Sequence, residues 1–130
     1  MDRIIDVFPS HQQSQIRTQL ANALQGVITQ ALVPRRGGEG RVAACEVLVP
    51  TPGIRNLIRE GKNHQIYSAM QTGGKFGMQT MDAALVDLVR RNMISREEAE
   101  KRASNPEELR RLAGGSSVGA NAGGYAAFRK

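Results

Sequence analysis

The stretch Thr51-Pro-Gly-Ile-Arg-Asn-Leu-Ile-Arg-Glu-Gly-Lys-Asn-His-Gln-Ile66 contains a helix written out from its first residue to its stop. Thr51 is placed to cap it, its hydroxyl accepting a first-turn N–H. Pro52 fits the first helical position, where its missing N–H costs nothing. Gly61 supplies the stop. At about 100° per residue, Ile54, Leu57 and Ile58 fall within an arc of roughly 100°. Arg55 and Arg59 stack one turn apart on one flank, Asn56 and Glu60 on the other. The apolar arc would dock the helix. The flank offers two guanidiniums at i, i+4 spacing, suited to bidentate capture of a carboxylate or phosphate from a neighbouring subunit. An ordinary amphipathic surface helix with solvated arginines has the same periodicity, and periodicity alone favours that plainer reading.

From Thr51 onward the sequence reads as helical throughout. A short helix is predicted from about Asn63 to Thr72, stopped by Gly73-Gly74. Another is predicted over Gly77 to Asn92, with Met78, Met81, Leu85, Leu88 and Val89 on one face. Ser95 and Glu98 have capping-box spacing and open a charged helix to about Ala103. Asn105-Pro106-Glu107-Glu108 then sets a cap, a proline and two acids at the start of a last helix. After Ala113 the composition falls to Gly, Ser and Ala, ending in Tyr125-Ala-Ala-Phe-Arg-Lys130, and a disordered tail is expected.

Upstream, residues 2–8 are short and amphipathic and end at Pro9. Ser10 and Gln13 have capping-box spacing, and Ile16, Leu20, Leu24, Val27 and Ile28 follow at helical steps. Gly26 would interrupt that helix at a cost of about 1 kcal/mol against Ala. The period then changes. Val27 to Pro34 is rich in branched residues, Gly37-Gly38-Glu39-Gly40 is turn material, and Arg41 to Val49 is a second apolar run. A strand pair joined by a Gly-rich loop is predicted, its first strand starting near Thr29 to Leu32. A single longer helix reaching Leu32 is the alternative.

Few residues have the spacing of a chemical site. Cys45 is alone, which excludes an internal disulfide and a cysteine zinc cluster, and its apolar setting reads as a small buried hydrophobe. His11 and His64 have no second ligand at metal spacing and read as polar helix-end residues. Gly73-Gly74-Lys75-Phe76-Gly77 fails as a phosphate loop. The glycine that should stand ahead of four intervening residues is Ala69, and Phe76 replaces the hydroxyl residue after the lysine. Asp82 lies among apolar residues. If its helix starts at Thr80 it is a first-turn acid, and if earlier it is semi-buried and needs an Arg. Glu46 within an apolar strand likewise wants a donor.

At 130 residues the chain fits one small domain or a piece of a larger one. Hydrophobic residues are 40% and aromatics only 4%, so the core must rest on Leu, Ile, Val, Met and Ala. The net charge of +6 raises nucleic acid as a partner. Its arginines are interleaved with acids in every segment and do not alternate with aromatics, so no nucleic-acid partner is expected. The N-terminus lacks the pattern of a signal peptide, and no run approaches the roughly 18 apolar residues of a membrane span. A soluble, intracellular protein is expected.

Five ordered segments resemble the C-terminal part of the twitching-motility (PilT-type) retraction ATPases of type IV pili. They are Asp2-Arg-Ile-Ile-Asp-Val-Phe-Pro9, Gly40-Arg-Val-Ala-Ala-Cys-Glu-Val-Leu-Val49, Ile54-Arg-Asn-Leu-Ile-Arg-Glu60, Met70-Gln-Thr-Gly-Gly and Gly77-Met-Gln-Thr-Met-Asp82. Gly53 stands where the family commonly has Ala. The resemblance runs over about residues 2–112 and leaves out the tail.

It implies an α/β fold, the C-terminal portion of a RecA-like P-loop ATPase domain, mostly helical with a β-strand pair. Residues 1–50 would be the end of the RecA-like core, 51–112 a C-terminal helical subdomain and 113–130 the tail. Ile54, Arg55, Asn56, Leu57, Ile58, Arg59 and Glu60 would form the retraction or coupling motif, and Arg55, Arg59, Lys62 and His64 a subunit interface. The implied setting is a cytoplasmic homohexamer at the inner membrane, working on a pilus platform protein with ATP and Mg. The single Cys fits the retraction branch rather than the assembly branch with its tetracysteine zinc site. The family's Walker A, acidic box, Walker B and histidine box lie upstream of these segments and are absent here. The chain is therefore expected to be a fragment, from a truncated or incomplete gene. It would bind no cofactor and hydrolyse no ATP alone. A stand-alone module that joins hexamers of a complete motor and regulates them is the other function carried forward.

Overall fold

Pro9, at φ −57° and ψ 147°, separates a short helix α1 (Asp2–Asp6) from α2 (Ser10–Ala23). Pro9 therefore holds the N-cap position and Ser10 is already helical, so the expected Ser10–Gln13 capping box does not form. Gln13 turns back instead, its Nε2 donating to the Phe8 carbonyl at 3.1 Å. The computed structural model of the chain describes residues 1–114. Residues 115–130, most of the expected tail, lie outside the described residues.

Helix α2 ends sooner than its apolar repeat suggests. Leu24 is extended (φ −64°, ψ 128°), and strand β1 (Val27–Pro34) begins directly after Gly26. The longer-helix alternative is thus wrong, and Gly26 is a connector rather than a helix interruption. Branched residues from Val27 onward prefer the pleated chain, which outweighs the helical spacing of Val27 and Ile28. β1 pairs with β2 (Arg41–Leu48) in a two-stranded antiparallel sheet. Gly37, Gly38 and Gly40 turn the hairpin in the left-handed region.

Beyond the sheet the chain is helical, as predicted: α3 (Pro52–Arg59), a 3-10 turn at Asn63–Gln65, α4 (Ile66–Gln71), α5 (Met81–Arg90), α6 (Arg96–Arg102) and α7 (Pro106–Gly114). Helix α5 starts later than expected. Gln79 is drawn into an extended bridge with Val47, the backbone bonds being 2.8 and 3.0 Å, and its Nε2 donates to the Cys45 carbonyl at 2.9 Å. Met78 is therefore buried ahead of α5, outside its apolar face.

The chain packs as two units that do not follow chain order. One comprises Met1–Thr29 and Cys45–Thr80, the other Gln30–Ala44 and the described residues from Met81 on. The first has a core of Ala21, Leu48, Ile54, Ile58, Ile66, Met70 and Met78. The second is built on Val33, Ala44, Leu85, Leu88, Ile94, Ala99 and Leu109, among others. Asp82 sits in the first turn of α5 and is completely buried there. Its Oδ1 accepts from the Ser104 N–H at 2.7 Å and its Oδ2 from the Asn105 N–H at 2.9 Å. Asn105 in turn caps α7 through the Glu108 N–H at 3.3 Å. The acid's charge is thus held by backbone donors at a helix start, where the peptide dipoles favour it.

Candidate functional site

The helix read first in the sequence is the most completely specified element of the first unit. The Thr51 hydroxyl accepts from the Ile54 N–H at 3.4 Å, and Pro52 opens α3. Ile54 and Ile58 are 1% and 2% exposed, so the apolar arc docks as its spacing predicts. Leu57 is half-buried beside them. Asn56, Arg59 and Glu60 are exposed and Arg55 is half-buried.

The arginine flank faces the end of α2. An α-helix leaves its last carbonyls without intrahelical donors, and α2 carries no basic residue in its last turn to serve them. Leu24 N–H donates to the Leu20 carbonyl at 2.9 Å, and Gln25 Nε2 to that of Ala23 at 3.4 Å. The two carbonyls between them are served by Arg55, whose Nη1 donates to Ala21 and, at 3.3 Å, to Asn22. Arg59 completes the seat. Its Nη1 donates to Asn56 Oδ1 at 2.6 Å and its Nη2 to Asn22 Oδ1 at 2.9 Å. Among the described residues, neither arginine has a carboxylate within ion-pair distance. Sequence reasoning missed Asn22 and these carbonyls, although an α-helix without a basic last turn was a usable signal.

At the other end of α3, Gly61 takes φ +69°, and a Cβ there would lie 3.3 Å from Arg17 Nε. Arg17 and Gly61, like Asn22 and Arg55, pair residues in opposite chain order, so α2 and α3 pack antiparallel. Lys62 is exposed and pairs with Glu60 at 2.8 Å, and His64 is exposed in the 3-10 turn. The structure thus gathers Arg55 and Arg59 at α2, and leaves Lys62 and His64 facing solvent.

A groove of about 580 Å³ runs beside α3, lined by Gly53, Ile54 and Leu57 on one side and Ala69, Gly73 and Phe76 on the other. Gly73 sits in a tight spot, where a Cβ would meet the end of the Met78 side chain and lie 3.1 Å from the Ala69 carbonyl. Gly74–Phe76 is a 3-10 connector, and the Lys75 ammonium lies over the Phe76 ring, 5.1 Å from its centroid. This segment does not fit a phosphate cradle: no hydroxyl follows the lysine, and the helical turn follows a helix rather than a strand.

No protein-family model matches the chain. It is 52% identical over 109 residues to the type IV pilus retraction ATPase PilT of Pseudomonas aeruginosa, covering 84% of this chain and 31% of that protein. It is 48% identical over 109 residues to a twitching motility protein of Neisseria gonorrhoeae, covering 84% and 29%. The crystal structure of the pilus retraction motor PilT with bound ADP superposes with a TM-score of 0.73 at 46% identity, over 85% of this chain and 30% of that one. The chain is homologous to the C-terminal part of the PilT-type retraction ATPases. It spans about three-tenths of the length of these relatives. A match of 109 residues in a chain of 130 necessarily takes in its middle, so Ile54–Glu60 lie within the PilT-like span. The Legionella pneumophila ATPase DotB, at 23% identity and a TM-score of 0.60, shares the fold.

Proposed function

We propose that this chain is the C-terminal portion of a hexameric ATPase that powers type IV pilus retraction and twitching, with Ile54–Glu60 as its coupling helix. The observation that carries this reading is the 52% identity to a retraction ATPase across a span that includes α3. The geometry of α3 supports it. An apolar arc fixes the helix, Arg55 and Arg59 bond to the end of α2, and Lys62 and His64 face outward beside it. Of the four residues expected at an interface, the exposed Arg59, Lys62 and His64 would make the contact with a neighbouring subunit or the pilus platform protein, with Arg55 behind them holding α2.

In this reading residues 1–50 close the RecA-like core and 51–112 form the helical subdomain that follows it. ATP and Mg bind elsewhere in the assembled motor, which works at the cytoplasmic face of the inner membrane and has no nucleic-acid partner. None of the described helices is long and apolar enough to cross a membrane.

The test is a hybrid in which residues 2–112 replace the corresponding part of a complete PilT-type ATPase. It should restore twitching to cells lacking that ATPase. A hybrid that assembles and hydrolyses ATP but never retracts pili counts against the reading.

A further inference from the structure

We propose that Asn22 is a positioning residue: it seats the coupling helix on the end of α2 by holding Arg59. This rests on the coupling role given to α3 above and adds the element through which that helix is held. The Arg59 guanidinium is stretched between two amide oxygens, Asn56 Oδ1 at 2.6 Å within α3 and Asn22 Oδ1 at 2.9 Å on α2. The planar fork fixes both directions at once, which a point charge would not do. One turn earlier, Arg55 ties the same helix to the Ala21 and Asn22 carbonyls. Asn22 is therefore the one residue of α2 that both arginines touch, by its side chain and by its backbone.

Every acceptor in this seat is neutral. The bonds are charge-assisted on the donor side only, strong enough to register the helix and weaker than a buried ion pair. Ala21, fully buried directly before Asn22, and Ile54 and Ile58 on α3 supply the apolar contact that the seat aligns.

Hydrogen exchange on the full chain tests this without any motor, so its outcome is independent of whether the hybrid retracts pili. Asn22 is exposed, and Asn22→Ala leaves the core intact. It should raise exchange in α3 and at Leu24 by about three- to tenfold, the factor expected for losing one such bond. Exchange in α5 should not change. Asn22→Asp keeps the acceptor and adds a charge; it should restore protection of α3 and make that protection salt-dependent. Arg59→Lys keeps the charge but loses the fork, and should behave like Asn22→Ala. Unchanged exchange in Asn22→Ala, or full protection in Arg59→Lys, overturns the proposal. So does failure of Asn22→Asp to restore protection.

Discussion

The ends of α2 and α7 are closed by the same device, yet their surroundings handle charge in opposite ways. In each case an arginine from another helix serves the last carbonyls: Arg55 donates to Ala21 and Asn22, and Arg90 Nη2 donates to Leu112 at 2.7 Å. At the end of α2, Arg55 and Arg59 meet only neutral oxygens. Around α6 and α7 the charges are paired. Glu98 lies between Lys101, at 3.1 Å, and Arg102, and Glu100 lies between Arg96 at 3.3 Å and Arg110 at 3.2 Å. Beneath them Asp82 is buried against backbone donors. The second unit thus sets its carboxylates against cations and backbone donors, while Arg55 and Arg59 in the α2–α3 seat bond to neutral oxygens.

The largest effect that would break this contrast is Asp82→Ala. Two hydrogen bonds to a charged acceptor are lost, partly recovered because Ser104 and Asn105 are exposed enough for water to reach them. A destabilisation of about 2–3 kcal/mol follows, read by chemical denaturation, with exchange rising in α5–α7 and not in α3. A loss confined to α3 would erase the distinction between the units.

Acid should produce a smaller and graded version of the same difference. Lys101 and Arg102 hold the Glu98 carboxyl below its ordinary value of 4.5, and Arg110, with Arg96, does the same for Glu100. A depressed folded value means these groups stabilise the fold fully above pH 4.5 and lose that contribution as pH falls from there through their lower folded values. Below that point, exchange in α6 and α7 should rise first, while the α2–α3 seat keeps its protection. Both glutamates are only partly buried and salt screens their pairs, so added salt should blunt the transition. A seat that loosens at the same pH would show that the neutral acceptors are not what holds it.

Much of this was legible from short-range signals. Thr51, Pro52 and Gly61 state the limits of α3 within a dozen residues, and Ser95 and Asn105 do the same for α6 and α7. The Gly-rich run between two apolar stretches gave the hairpin. What failed was decided at a distance. The start of α5 was misplaced because Gln79 bridges to Val47, which no local pattern announces. Ser10 lost its cap role to Pro9, whose ring already fixes the extended turn before the helix. Arg55 and Arg59 lie on one flank as their spacing indicated, but the partners they meet are on α2, more than thirty residues away in sequence. Asp82 was placed among apolar residues, and only the fold shows that backbone donors of the α6–α7 link satisfy it.

The coupling role of Ile54–Glu60 is tested most directly by measuring ATP turnover and pilus retraction side by side in the hybrid ATPase carrying Arg55→Ala and Arg59→Ala. The expected result is retained nucleotide binding and turnover with retraction abolished, because these residues bond to α2 and Asn56 and so hold the helix in place. Loss of nucleotide binding or turnover along with retraction would contradict the account, as would retraction at the unsubstituted rate.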